Sequence, residues 1–225
     1  MTDIAVIDYG MGNLHSVSTR LMQAAPGLKV TVTSDPAVVA GAARVVFPGQ
    51  GAMPDCMREL DAHGLRDAVL DAAYNKPFLG ICIGLQMLFD HSDEGGVVCL
   101  GLLPGKVRRF ADSMTMASGE RVKVPHMGWN RVRQVSSHAL WNDIPDDAHF
   151  YFVHSYYIDT TDTALIAGTS DYPAPFSCAI ARDNVFAVQF HPEKSGADGL
   201  QLLVNFVQWQ PLSRLVRPAA AAAAR

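Results

Sequence analysis

A glycine stands two residues to either side of Cys82, in the string Gly80, Ile81, Cys82, Ile83, Gly84, with a strand-like run from Pro77 to Ile81 ahead of it and a helix-like run from Leu85 to Asp90 behind. This is the pattern of a nucleophile elbow. The chain turns so sharply from strand to helix that side chains at those two positions would collide with the crossing backbone, and both places therefore require glycine. A cysteine at the apex is expected to expose its sulfur above the sheet edge, near the first unpaired N–H groups of the next helix. Those groups and the helix dipole favour the thiolate. Alone, the pentapeptide fits equally well a small apolar residue ending a buried strand, the usual place of a free cysteine.

The downstream segment from Phe186 to Ser195 separates the two readings. Val185 to Phe190 is strand-like and is followed by His191, Pro192, Glu193, Lys194, Ser195. Proline at 192 pushes His191 toward an extended conformation. Residues two apart in an extended chain point the same way, so the Glu193 carboxylate is expected on the imidazole side of the backbone. One short string then supplies a base and the group that orients it, which is what a cysteine nucleophile needs. A strand-end histidine beside a solvated carboxylate is the competing reading, and the combination with Cys82 weighs against it.

Short apolar or β-branched runs at Ile4 to Ile7, Lys29 to Thr33, Val45 to Phe47 and Phe78 to Ile81 alternate with helix-patterned stretches at Leu14 to Ala24, Met53 to Leu60 and Leu65 to Ala73. Such alternation predicts an α/β fold whose open, mostly parallel sheet carries helices on both faces. From about residue 97 strand follows strand: Val107 to Phe110, Val122 to Val124, His149 to Tyr157, Leu165 to Ser170, Phe176 to Ala181 and Val185 to Phe190. These predict an antiparallel extension. A last amphipathic helix, Leu200 to Trp209, stops at Pro211. Residues 1–210 are expected to form one domain and 211–225 a disordered C-terminal tail rich in alanine. Ligands of open sheets bind beyond the carboxyl ends of the strands, where Cys82 falls.

With 225 residues, 49% of them hydrophobic and 18% charged, the chain can bury one full core. Its net charge of −4, with no basic stripe, argues against a nucleic-acid surface. The four cysteines form no CxxC pair and no metal-finger spacing, so neither a disulfide framework nor a metal is expected, and a reducing compartment fits. There is no basic leader and no apolar run of membrane-spanning length, so a cytoplasmic location without a membrane partner is expected. Gly10 and Gly12 would need a third glycine at position 15 to bind a dinucleotide; His15 stands there, and no cofactor is expected.

The string from Gly80 to Gln86 together with His191 to Ser195 resembles the class I glutamine amidotransferase family, which has a flavodoxin-like sheet. Four further stretches, Asp8 to Leu14, Phe47 to Gly51, Val124 to Asn130 and Tyr151 to Tyr156, resemble within that family the glutaminase subunits of imidazole glycerol phosphate synthases. The blocks run in order from residue 8 to 195. The resemblance implies that Cys82, His191 and Glu193 form a catalytic triad and that Gly49, Gln50 and Gly51 are an oxyanion loop acting with the amide of Ile83. Gln50 departs from the valine common in the family, leaving its side-chain effect open. It also implies that Gln86 holds the substrate glutamine, and that Ser155 and Tyr156 hold its α-amino and carboxylate groups through backbone atoms. Read without it, the Gly49 to Gly51 loop is an ordinary βα turn and Gln86 a surface amide. His126 and His154 match no triad position and are expected to be structural.

The implied partner is a cyclase subunit, built as a (βα)8 barrel, in a heterodimer. Asn13, Met127, Trp129, Tyr151 and Lys194 are expected to form the rim facing it. Lys194 follows Glu193 directly, and Trp129 is read in a Gly128, Trp129, Asn130 turn where a large ring is hard to bury and suits an interface anchor; a solvated lysine and a core tryptophan are the alternatives. Two other functions stay open: the glutaminase subunit of an anthranilate or pyridoxal phosphate synthase, and a catalytically silent binding subunit. The 112–120 segment reads as a loop insertion.

Overall fold

Side chains alternate between two buried faces along the first strand of a computed structural model that describes residues 2–115, 119 and 121–216. Ile4 and Val6 of β1 (Ile4–Ile7) face one side of the sheet while Ala5 and Ile7 face the other, and all are inaccessible. Both faces are therefore core, as helices on both sides of a parallel sheet require. The chain continues through α1 (Leu14–Ala24), β2 (Val30–Thr33), α2 (Pro36–Gly41), β3 (Arg44–Gly49), α3 (Met53–Ala62), α4 (Arg66–Asn75), β4 (Phe78–Cys82) and α5 (Ile83–Gln86). There follow β5 (His91–Ser92), β6 (Val97–Val98), β7 (Lys106–Arg109), β8 (His126–Gln134), β9 (Ala148–His154), β10 (Tyr156–Asp159), β11 (Ile166–Asp171), β12 (Pro175–Arg182), β13 (Val185–Val188) and α6 (Gly196–Gln208). Strand order is β2-β1-β3-β4-β13-β12-β10-β7-β5-β6, with β11, β8 and β9 branching from β12. One core cluster lies under α2, α3, α4 and α5, and the other joins α1 and α6 to β9 and β12.

The structure departs from the sequence expectation in places that matter for the site. The run ending in Phe190, expected in the antiparallel extension, forms β13, which lies parallel to β4 and antiparallel to β12. It completes the parallel sheet, with Val188 opposite Ile81, so His191 leaves the sheet at the same edge as Cys82. Val122 to Val124 is not a strand. Pro125 has no N–H to offer a ladder, and pairing starts at His126, where β8 matches β9 from His126 opposite His154 to Val132 opposite Ala148. Trp129 therefore sits mid-strand and not in a turn; Gly128 is at φ 133°, a backbone setting that mimics a turn signal in sequence.

His149 to Tyr157, expected as one strand, breaks at Ser155, whose carbonyl accepts a hydrogen bond from the Phe110 N–H at 3.0 Å. β9 stays with β8 while β10 joins β7 and β12. The helix expected over Leu85 to Asp90 ends at Gln86, because Leu85, Met87, Leu88 and Phe89 are all fully buried and the chain runs through the core with no solvent face. α2 was not expected; Asp35 caps it by accepting from the Ala37 N–H at 2.8 Å, with Pro36 in its first turn. Of the expected tail, 211–216 are described and the Leu215 N–H donates to Asn184 Oδ1 at 2.7 Å. The alanine-rich stretch and part of the 112–120 loop lie outside the described residues. Among the described residues no helix is long and apolar enough to cross a membrane.

Candidate active site

Cys82 ends β4 at φ 56° and ψ −113°, a left-handed setting that a side-chain-bearing residue takes only when its surroundings force it. Both elbow glycines explain how. A Cβ on Gly80 would stand 2.8 Å from the Ala187 Cβ and 3.1 Å from the Gly84 carbonyl oxygen, and one on Gly84 would overlap the Phe47 carbonyl. The turn thus packs directly on the Phe47 backbone of β3 and on Ala187 of β13. Contrary to expectation the sulfur is not on an open turn: Cys82 is 8% exposed, at the floor of a cleft.

His191 follows β13 at φ −105° and ψ 95°, extended as expected, but the next residues, Pro192–Lys194, form a 3-10 turn. The carboxylate reaches the imidazole by that turn and not by extended-chain alternation. Glu193 Oε1 accepts from His191 Nδ1 at 2.8 Å, with the two side chains 1% and 5% exposed. A carboxylate only accepts, so Nδ1 carries the proton and the neutral ring keeps its lone pair on Nε2. Nε2 is buried with no hydrogen-bond partner among the described residues. The histidine backbone is tied to Tyr151 of β9 twice: its N–H donates to the Tyr151 carbonyl at 2.9 Å, and its carbonyl accepts from Ser195 Oγ at 2.6 Å, which itself accepts from the Tyr151 N–H at 3.0 Å. Burial alone would lower the imidazole's pKa. The negative charges and hydrogen-bonding capacity of Cys82 and Glu193 outweigh burial and raise it, up to about 10. The arrangement favours the imidazolium form of His191 in the cleft that holds Cys82.

The cleft encloses about 260 Å³, room for a free amino acid. Gln50, Gly51, Ile83, Gln86, Ser155 and Tyr156 all line it, together with Cys82 and His191. Gly49 lies beneath, opposite Cys82 in the β3–β4 register, and a Cβ there would overlap the Tyr9 hydroxyl and Ile83. Cys56 Sγ donates to the Gln50 carbonyl at 3.7 Å, which turns that oxygen toward α3 and the Gly51 N–H away from it. Gln86 is 4% exposed and is not a surface amide; its Nε2 donates to the Tyr156 carbonyl at 3.2 Å and to Gln189 Oε1 at 2.9 Å. The Tyr156 carbonyl also accepts from His154 Nδ1 at 2.7 Å, so that oxygen is engaged within the protein.

Three residues at the site, two lining the cleft and one buried behind Cys82, were not singled out for this role by sequence. Glu94 lines the entrance and accepts from the Met53 N–H at 2.9 Å, capping α3, whose Ala52 cap has no side chain to do so. His154, read as structural, both lines the cleft and accepts from His126 Nδ1 at 2.9 Å; burial lowers the pair to about 3 and about 4, so both rings are neutral. Gln189 touches Cys82 itself. Its signal was available, since it precedes His191 by two in an extended run.

Beside the cleft, Met127 and Trp129 are 62% and 56% exposed on the outer face of β8. Trp129 packs edge-on to Tyr151 at 6.1 Å, and Lys194 Nζ stands 5.9 Å over the Tyr151 ring. Trp129 is thus not a core residue. The Asn13 side chain caps α1 by accepting from the Ser16 N–H at 3.4 Å. No cluster of three or more His, Cys, Asp or Glu side chains with metal-holding geometry occurs among the described residues.

The family model for "Glutamine amidotransferase class-I" matches residues 5–209. A protein of Dechloromonas aromatica (strain RCB) named imidazole glycerol phosphate synthase subunit HisH is 68% identical over 209 residues, 92% of this chain and 97% of its own length. Its namesake in Aromatoleum aromaticum is 63% identical, covering 94% of this chain and 100% of its own. Among solved structures, one described as PurLQS from Thermotoga maritima superposes with a TM-score of 0.68 at 16% identity, covering 92% of this chain and 99% of that one. A glutamine amidotransferase from Thermotoga maritima gives 0.57 at 18% identity, covering 92% of this chain and 82% of that one. These last two are likenesses of fold.

Proposed function

We propose, from the premise that this chain belongs to the class I glutamine amidotransferase family, that it is the glutaminase subunit of an imidazole glycerol phosphate synthase. It hydrolyses L-glutamine to glutamate and ammonia for histidine biosynthesis. The names of relatives 57–68% identical over nearly their whole length support this subunit over those of anthranilate or pyridoxal phosphate synthases. The observation that carries the chemistry is the meeting of Cys82, at the apex of a strained elbow, with the buried His191–Glu193 pair in one cleft.

The Cys82 thiolate attacks the side-chain amide carbon of glutamine, and the carbonyl oxygen takes the negative charge. Backbone N–H groups of Ile83 and the Gly49 to Gly51 loop stabilise that oxyanion; losing one such donor typically costs roughly 10²–10³ in turnover. His191, held as imidazolium, gives its Nε2 proton to the departing nitrogen, and ammonia leaves as the thioester forms. The neutral ring then takes a proton from water, which attacks the thioester and releases glutamate and the thiolate. Glu193 keeps the ring's Nδ1–H in place through both steps.

Ammonia is useful only if it meets its acceptor before protonation in bulk water. The partner is a cyclase subunit with a (βα)8 barrel that carries ammonia to PRFAR, giving imidazole glycerol phosphate and AICAR. The rim of exposed Met127, Trp129 and Lys194 around half-buried Tyr151 fits that partner, because the Tyr151 backbone also holds that of His191, directly and through Ser195. Docking there bears directly on the triad. Four buried free cysteines suit a cytoplasmic location. Glutamate release by the purified chain, with and without the cyclase subunit, tests the reading. Release stimulated by the partner is expected, and none in either condition would leave only a silent binding subunit.

A further inference from the structure

Val188 of β13 stands opposite Ile81 of β4, and in parallel strands the next pair in register is Gln189 and Cys82. Gln189 is wholly buried, and its Nε2 donates to Cys82 Sγ at 3.7 Å. We propose that the Gln189 side-chain amide takes part in the reaction as the hydrogen-bond donor that holds the Cys82 sulfur as an aligned thiolate, with Gln86 and the Tyr156 carbonyl fixing the direction of that bond. The proposal rests on Cys82 being the nucleophile.

The direction follows from donor and acceptor chemistry along the chain of contacts. A backbone carbonyl only accepts, so the atom that Gln86 turns toward the Tyr156 oxygen at 3.2 Å is its NH₂ group. That same nitrogen lies 2.9 Å from the Gln189 amide, which must therefore present its oxygen there. The NH₂ of Gln189 is left facing sulfur. The Tyr156 carbonyl is itself held by His154 Nδ1 at 2.7 Å, and His154 is backed by His126 and then by Asn130, whose Nδ2 lies 3.2 Å from His126 Nε2. The Tyr156 carbonyl, which can only accept, sets the direction of the links on either side of it. A neutral dipole with its positive end on the sulfur favours thiolate over thiol without competing for a proton, as His191 does.

Alkylation of Cys82 by iodoacetamide in the glutamine-free subunit reads the claim, because it needs neither substrate nor partner. Burial pushes the Cys56 and Cys99 thiols up to about 11 and that of Cys178 higher still, so reaction near neutral pH reports Cys82, with Cys82→Ser as the blank. The titratable groups facing Cys82 are His191 beyond β13, Tyr9 beyond β1, Cys56 on α3 and Glu94 across the cleft, and all stay in place in the variants. Gln189→Met keeps the volume and removes the donor; Gln189→Glu keeps the acceptor for Gln86 and sets a like charge beside the sulfur. The inflection of the alkylation profile should rise by roughly one pH unit in the first and by more in the second, a charge-assisted hydrogen bond being lost. Unchanged profiles overturn the proposal while leaving the nucleophile reading intact; wild-type protein that alkylates no faster than Cys82→Ser overturns both. Should the variants not fold, wild-type protein decides by NMR: the Gln189 side-chain amide signals must titrate with the alkylation inflection, and signals that do not move refute the contact.

Discussion

Glu193→Gln isolates the role of charge in the triad, because it replaces a carboxylate that is 1% exposed with a neutral group of the same shape. The amide oxygen can still accept from His191 Nδ1 across the 2.8 Å contact, so ring tautomer and position are kept. What is lost is charge assistance. A hydrogen bond to a charged group contributes about 1.5–3 kcal/mol against about 0.5–1.5 for a neutral one, a difference of roughly 1–2 kcal/mol or about 5–30-fold in rate. The pH profile should move as well. Burial lowers the His191 pKa, while Cys82 and Glu193 raise it; without the Glu193 charge only Cys82 opposes burial, and the value falls. The imidazolium that protonates the departing amide nitrogen is then lost at lower pH, so the alkaline limb of kcat shifts to lower pH. Glutamine turnover with the partner present, measured over roughly pH 6 to 10 so as to span the ordinary and the raised imidazole range, checks both effects. KM should hardly change, since Glu193 does not line the cleft. A variant with wild-type kcat and an unmoved alkaline limb would refute the orienting role.

Gly80→Ala sets a Cβ 2.8 Å from the Ala187 Cβ, overpacking the elbow; a loss of about 1–3 kcal/mol should lower the thermal midpoint by roughly 2–12 °C, read by calorimetry. Trp129→Ala and Lys194→Ala should weaken cyclase binding, about 30-fold for an anchor contributing about 2 kcal/mol, with the midpoint of the free subunit held within about 2 °C. A Trp129→Ala protein that melts early yet binds normally in its folded fraction removes Trp129 from the rim. His126 and His154 are neutral in the fold, at about 4 and about 3, whereas the unfolded chain protonates them near 6.5. Stability from this pair is therefore intact above about pH 6.5 and is lost as pH falls toward 4, by up to about 1.4 kcal/mol per unit for one imidazole. Denaturant melts between about pH 7 and 5 should show a shallower slope in His126→Gln than in wild type; equal slopes contradict the neutral pair.

The parts legible in sequence were those whose constraint is local. Two glycines around one cysteine force a single turn, and α1 matched its expected bounds because its apolar spacing is regular. Tertiary pairing decided the rest. Gly128 and Pro125 carry turn signals, yet β8 extends from His126 because Phe150 and Phe152 of β9 supply a buried partner face, which no local pattern in 124–134 encodes. β13 could not be assigned to the parallel sheet from its own composition, since an apolar run reads alike in either orientation; the placement of His191 beside Cys82 depends on that pairing. Gln189 and Gln86 meet across 103 positions of sequence, and although each stands near a catalytic residue in the chain, their mutual contact depends on the pairing of β13 with β4. The cleft depth of Cys82 likewise arises from the wall formed by 153–156, far along the chain.

The central claim is that this chain makes ammonia at Cys82 for use by its partner. The direct measurement compares imidazole glycerol phosphate formation by the cyclase in complex with the wild-type or the Cys82→Ser chain, supplied either with glutamine or with an ammonium salt. A serine hydroxyl keeps the shape of the elbow and is a poor nucleophile. The account predicts that glutamine-dependent synthesis disappears in Cys82→Ser while ammonium-dependent synthesis continues near the wild-type rate. Glutamine-dependent synthesis that survives in Cys82→Ser contradicts it.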